Sequence, residues 1–385
     1  VLSNVLNPAA NGRGRRRHRV SLLSTYAKLS LAALIAFVVA VSLLSKIIPS
    51  PAIPANVVFV GPKYEYYKAH KDEYNALFFG SSRVYSHVIP DVFDAEVSGT
   101  SSDLLADKVL ADRLKVNSYN FGIPAMRAID SAVLIEEVLA DPPKDLKWVF
   151  FESILDKGYE PIPNARTQRA MYWHTWENTR LAAQYILTSD ESLTSKAVLL
   201  SSHLLPFLYQ QMNVGRLFNQ VLPSRLSAEE LAVTAEFTAN EGYYGLTDPA
   251  DPQRLDFLQN QSAYAEQVAT LKAVQATPLA DDPYLSANKQ MLLARVSQTI
   301  RNAGAEPIFL EPPSLHPVND FQAAQKLGTI DKLLSYKDPN RFPRLYSPEQ
   351  RHDADHLNAA GSEEFTRLVA KDFVAIPLEG FAIAP

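Results

Sequence analysis

Four short strand-like runs, separated by segments with helical spacing, constrain this chain more than any other feature. They are Ala76–Phe79, Val116–Phe121, Leu146–Phe151 and Pro307–Leu310. The first two end at Gly80 and Gly122, and the fourth stops at Pro312-Pro313. Runs this short read as buried strands, and Gly and Pro punctuate them. Between them, Ala128–Leu139 places Ile129, Val133, Leu134 and Val138 on one helical face. Asn288–Ala303 reads as a helix closed by Gly304, and Ala359–Phe373 as a last helix with Asn358 as its N-cap. Alternating strands and helices predict an α/β fold, a parallel sheet wrapped by helices. Ligands of such sheets bind at the carboxyl ends of the strands. Ser82 and Gly122 both follow such ends.

The pattern breaks over residues 157–284, which hold Trp173, Trp176, Tyr243 and Tyr244 and no clear strand. Because strands resume afterwards, this stretch reads as a helical insertion capping the strand ends. Within it, Ala197–Tyr209 is apolar on most sides. It reads first as a buried helix, and second as a surface meeting a membrane or partner subunit. The expected organisation is a basic tail 1–28, a membrane helix 29–48, a linker and domain entry 49–74, a core in two parts 75–156 and 285–376 around the insertion, and a tail 377–385.

The membrane helix rests on Leu29–Ser45, seventeen residues without a charge, extended by Ile47 and Ile48 past Lys46. That length is short but sufficient for one span. A cleaved signal peptide competes, and no small-x-small cleavage site follows the run. Arg13, Arg15, Arg16, Arg17, Arg19 and Lys28 precede it without an acid, a charge of +6. That places the N-terminus in the cytoplasm, with the bulk of the chain outside it, in a periplasm. Pro49, Pro51 and Pro54 form a stiff linker after the span. The rest of the chain has 31 basic and 42 acidic side chains, a charge of −11, which argues against nucleic-acid binding. Zero cysteine excludes disulfides and thiolate metal sites.

Two motifs carry the chemistry. Leu77-Phe78-Phe79-Gly80-Ser81-Ser82-Arg83 ends a strand on a serine, and Asp353-Ala354-Asp355-His356-Leu357-Asn358 sets an Asp three residues before a His. A serine hydroxyl needs a base, and the base needs an orienter. Ser82, His356 and Asp353 supply these roles in that order. An oxyanion needs preorganised N–H donors. Ser82 N–H and Gly122 N–H are the candidates, with Arg83 as possible support.

These residues resemble the SGNH (GDSL-like) hydrolase superfamily. Gly80-Ser81-Ser82 matches its first block, with Ser81 where many members carry Asp; Tyr119-Asn120-Phe121-Gly122 resembles the second; Asp353-Ala354-Asp355-His356 matches the last. The Gly-Ser-Ser form, the anchor and the His-Leu-Asn ending look closest to membrane-anchored DltD-like and alginate-O-acetylation-like members. The resemblance covers roughly 75–155 and 285–375. It implies a flavodoxin-like three-layer parallel sheet and an esterase or O-acyltransferase working beside an integral-membrane partner on acyl, chiefly acetyl, esters of an envelope glycan. No cofactor and no metal are expected. One block departs: where many members carry an Asn that completes the oxyanion hole, Phe150-Phe151 is followed by Glu152.

Each motif has a plainer reading. Gly80-Ser81-Ser82-Arg83 can be a capped strand-to-helix turn, Arg83 a salt-bridge partner, Gly122 a tight turn, and Asp353–His356 a tie between loop and helix. His352 and His356 have the i, i+4 spacing of a metal-binding helix. They precede the helix start, and no third ligand cluster is evident. Trp173, His174 and Trp176 can line a sugar site or pack the insertion. No Gly-x-Ser-x-Gly elbow, P-loop or dinucleotide fingerprint is present. The leading expectation is an anchored serine esterase or acyltransferase. The alternative is a catalytically silent accessory subunit of a larger membrane complex, respiratory or photosynthetic for instance.

Overall fold

The computed structural model describes residues 26–37, 39–40, 43, 60–104, 115–155, 173–212 and 228–376. The chain divides into two units, Val1–Pro51 with Leu208–Ser224, and Ala52–Phe207 with Arg225–Pro385. In the first, residues 26–37 form helix α1, on which Leu29, Leu31, Leu34, Ile35 and Phe37 are exposed. Among the described residues, no helix is long and apolar enough to cross a membrane. The expected span Leu29–Ile48 lies partly outside the described residues.

The second unit is built on five parallel strands: β1 (Ala76–Gly80), β2 (Ser118–Gly122), β3 (Trp148–Phe151), β4 (Glu306–Glu311) and β5 (Leu333–Ser335), in the order β2-β1-β3-β4-β5. The order reverses beside β1, a doubly wound arrangement that opens a crevice at the carboxyl ends of β1 and its neighbours. Register aligns those ends, with Gly80 opposite Gly122 and Phe79 opposite Phe151.

Side chains alternate across the strands, so near-continuous apolar runs feed two cores. Leu77, Phe79, Tyr119, Phe121, Val149, Phe151 and Phe309 face one. It is covered by α2 (Val60–His70), α5 (Ala128–Leu139), α6 (Trp176–Leu187), α11 (Ala287–Asn302) and α12 (Asp320–Lys326). Ala76, Phe78, Trp148, Phe150, Ile308 and Leu310 face the other, under α4 (Pro90–Leu104) and α13 (Ala359–Ala375). The result is three layers. Phe78 stacks on Phe150 at 4.1 Å and meets Phe93 of α4 edge-on at 5.0 Å, geometries that add to area burial.

The expected helix ends are realised. Asn358 Oδ1 accepts the Gly361 N–H at 3.0 Å, and Gly304 closes α11 at φ +81°. A Cβ at Gly361 would meet the Gln350 carbonyl oxygen at 2.1 Å, so glycine lets α13 start against the preceding loop.

The described parts of 157–284 pack on several parts of the core and on no single face of it. Helix α6 packs on α5 and α11, and α8 (Ala228–Ala239) on α2. Glu241 accepts the Asn120 N–H at 2.9 Å and so covers the β2 edge. From α9 (Pro252–Gln259), Arg254 donates to the Arg351 carbonyl at 2.6 Å, and Tyr264 of α10 (Gln261–Gln275) donates to the Tyr346 carbonyl at 2.9 Å. Nor is Ala197–Tyr209 a buried helix. It lies in α7 (Leu193–Met212), where Val198, Leu204 and Leu205 are exposed and Leu199 and His203 turn inward.

Candidate active site

Ser82 stands where β1 turns into α3 (Ser82–His87), with Ser81 as N-cap in an extended conformation. Ser81 Oγ accepts the Arg83 N–H at 3.3 Å, the usual capping bond. Asn120 of β2 holds the other end of α3, its Nδ2 donating to the carbonyls of Val84 and Val88 at 2.8 and 2.7 Å. The Val84 carbonyl also takes the Val88 N–H at 3.2 Å, so Asn120 adds a second donor there and satisfies the Val88 carbonyl beyond the helix end.

The loop that carries Asp353 and His356 precedes α13. Asp353 Oδ1 accepts the N–H groups of Asp355 and His356 at 2.7 and 2.8 Å, folding the carboxylate under its own loop. Its Oδ2 lies 2.8 Å from His356 Nδ1, and His356 Nε2 lies 2.8 Å from Ser82 Oγ. An ionised carboxylate on Nδ1 places the imidazole proton there and leaves Nε2 to accept from Ser82. Burial pushes the Asp353 pKa up, but the His356 ring and the two amides outweigh it and hold the carboxyl below the usual carboxylate range. The fully buried Arg351 braces the loop from inside, donating to the Ala354 carbonyl at 2.6 Å.

Helix α13 is sewn to α3 by side chains. Ser362 Oγ donates to the Ser86 carbonyl at 2.7 Å, and Thr366 Oγ1 donates to the His87 carbonyl at 2.9 Å. Ser82 and His356, 274 residues apart in sequence, therefore sit on two elements that these side chains join.

The two candidate oxyanion donors differ in their engagement. Ser82 N–H belongs to the first helical turn and has no acceptor inside α3. Gly122 N–H is engaged, because it donates to Asn120 Oδ1 at 2.8 Å. Glycine is needed at 122 for approach: a Cβ there would meet the Tyr85 backbone nitrogen at 2.1 Å. Arg83 is not aimed at a reacting carbonyl either. It is buried and ion-paired through Nη2 with Glu152 Oε1. The other carboxylate oxygen of Glu152 accepts the N–H and O–H of Ser81 at 2.7 and 2.8 Å. Both oxygens thus have partners, and Glu152 braces the turn that presents Ser82. A cavity of about 30 Å³ lies beyond this pair, lined by Arg83, Glu152, Glu311, Ser314, His316 and Lys337 among others and not by Ser82 or His356.

His352 is buried, and its Nε2 lies 3.4 Å from Asp251 Oδ2. Among the described residues, no group of three or more His, Cys, Asp or Glu is placed to hold a metal ion. Trp173 belongs to the core under α6, His174 Nε2 lies 3.1 Å from His203 Nδ1, and Trp176 is exposed. These three do not form one sugar platform. Sequence reasoning missed Asn120, Glu152 as a brace, and His87, whose Nε2 accepts the Leu357 N–H at 2.9 Å. The first two lay inside quoted motifs, so position was legible and role was not. Comparison of the chain with protein-family models, with characterised proteins and with solved structures gives no match.

Proposed function

We propose that this chain is a serine esterase or O-acyltransferase of SGNH type, on a flavodoxin-like core. The supporting observation is the relay Ser82 Oγ–His356 Nε2 and His356 Nδ1–Asp353 Oδ2, both at 2.8 Å, within the reach such catalysis needs. In the proposed reaction, His356 takes the Ser82 proton as Oγ attacks the ester carbonyl carbon. The tetrahedral oxyanion collapses, the C–O bond breaks, and His356 returns the proton to the leaving alcohol. Water or a glycan hydroxyl then attacks acyl-Ser82 and gives its proton to His356; the acyl–Oγ bond breaks, and His356 returns the proton to Ser82 Oγ. Ser82 N–H is the first oxyanion donor. Gly122 N–H joins it only if Asn120 Oδ1 releases it.

The substrate class proposed is the acetyl ester of an envelope glycan. The chain is anchored through Leu29–Ile48, with its N-terminus cytoplasmic and its catalytic unit outside the inner membrane beside an integral-membrane partner protein. The uncharged run and the +6 tail support that placement. The test is mass-spectrometric trapping of acetyl-Ser82 after acid quench of the full-length chain with an acetyl ester. Acetyl on Ser82, absent from His356→Ala, supports the reading; no adduct opposes it.

A second reading has its own observation. With Gly122 N–H engaged and Glu152 in place of a neutral donor, the oxyanion site is poorer than the triad. A silent accessory subunit of a membrane complex accounts for that.

A further inference from the structure

His87 is the last residue of α3, whose first residue is Ser82. It is fully buried. Its Nε2 accepts the N–H of Leu357, the residue after His356. Its carbonyl accepts from Thr366 of α13, and its ring stands edge-on to the rings of His356 and Phe365, each at 6.0 Å. One imidazole therefore touches the helix of the nucleophile, the loop of the base and the helix behind that loop.

The residue type is informative. Because Nε2 accepts, the proton sits on Nδ1. Nδ1 is buried without a hydrogen-bond partner. An unpaired buried N–H is unfavourable, and an apolar side chain of similar size would avoid it. What histidine adds here is the acceptor on Nε2, reaching an amide next to the catalytic base.

We propose that His87 is a positioning residue for the Ser82–His356 pair: its neutral Nε2 anchors the Leu357 amide and fixes the base loop against the nucleophile helix. This rests on the triad reading above and adds a residue to it. Burial lowers the His87 pKa well below the ordinary value, and the charges of His356, Arg351 and Arg83 act in the same sense. Phe365 of α13, Leu357 and Thr366 complete its surroundings with uncharged groups. Protonation would set two donors face to face and cancel the anchor.

The test compares full-length wild type, His87→Leu and His87→Gln. Leucine fills space without an acceptor; the Gln Oε1 can still accept from Leu357. With p-nitrophenyl acetate, His87→Leu is expected to lower kcat about 10²-fold with KM nearly unchanged, the scale of a small misplacement. His87→Gln is expected to recover most of that loss. Equal kcat in both variants, or wild-type kcat in His87→Leu, overturns the proposal. A second arm needs no turnover: 15N-histidine NMR reads the His356 tautomer. A fixed Nδ1–H form in wild type that becomes averaged in His87→Leu supports positioning even if no acyl-enzyme forms, which would sink only the esterase reading. An unchanged tautomer overturns it. Should His87→Leu not fold, wild type decides. A His87 ring that keeps a bare Nε2 from neutral to mildly acid pH supports the anchor; one that protonates there overturns it.

Discussion

Glu152 Oε2 accepts both the backbone N–H and the side-chain O–H of Ser81, at 2.7 and 2.8 Å, while Oε1 pairs with Arg83. The end of β3 thereby fixes the turn that presents Ser82. Glu152 is fully buried, so removing its carboxylate strands a buried guanidinium.

Glu152→Ala is therefore expected to destabilise the protein by about 3–5 kcal/mol. The double variant Arg83→Met/Glu152→Leu, which removes both charges, should cost clearly less. Urea unfolding of the three proteins checks this. A double variant as unstable as the single one would show that the pair's hydrogen bonds to Ser81, and not charge burial, dominate.

Asn120→Asp keeps an acceptor for Gly122 N–H but loses both donors to the Val84 and Val88 carbonyls. Leaving two buried acceptors facing a carboxylate should cost more than about 2 kcal/mol. Thermal unfolding is the measurement, and an unchanged Tm would refute the bracing role.

Gly122→Ala drives a methyl group into the backbone of α3. Helix α3 must shift, and Ser82 moves with it. Acyl-enzyme formation should fall by about 10²-fold or more, read as the pre-steady-state acylation rate. A variant that is stable and acylates normally would contradict this geometry.

His203 tests pH linkage. Burial lowers its pKa to about 3, helped by the charges of Arg127 and His174. The unfolded chain takes up the proton near pH 6.5 and the folded one does not until about pH 3. Folding stability from this group is present above about pH 6.5 and is lost as pH falls below it, by about 1.4 kcal/mol per unit. His203→Gln should flatten the stability–pH slope between those limits by that amount. Identical slopes in chemical denaturation at several pH values would count against a buried neutral His203.

Much of this was legible in the sequence. The strand ends at Gly80 and Gly122, the Asn358 cap and the Asp353–His356 spacing are local features, and local features survive folding. The roles of Gly122 and Glu152 were not legible, because each depends on a partner chosen by the fold. Asn120 lies on the same strand face as Gly122, two residues away, and its amide turns onto the glycine N–H. Arg83 and Glu152 come from separate strand ends that meet only when β1 pairs with β3. β5 escaped notice because three residues carry no periodicity. The apolar α7 read as core because composition does not record that its neighbours leave Leu204 and Leu205 uncovered.

The most direct test of the central claim is burst release of p-nitrophenol from p-nitrophenyl acetate by the full-length chain, wild type against Ser82→Ala. The account predicts a burst of about one equivalent in wild type, as an acyl-enzyme requires, and none in the variant. Indistinguishable traces from the two proteins would contradict it and leave the Ser82–His356–Asp353 array as architecture without chemistry.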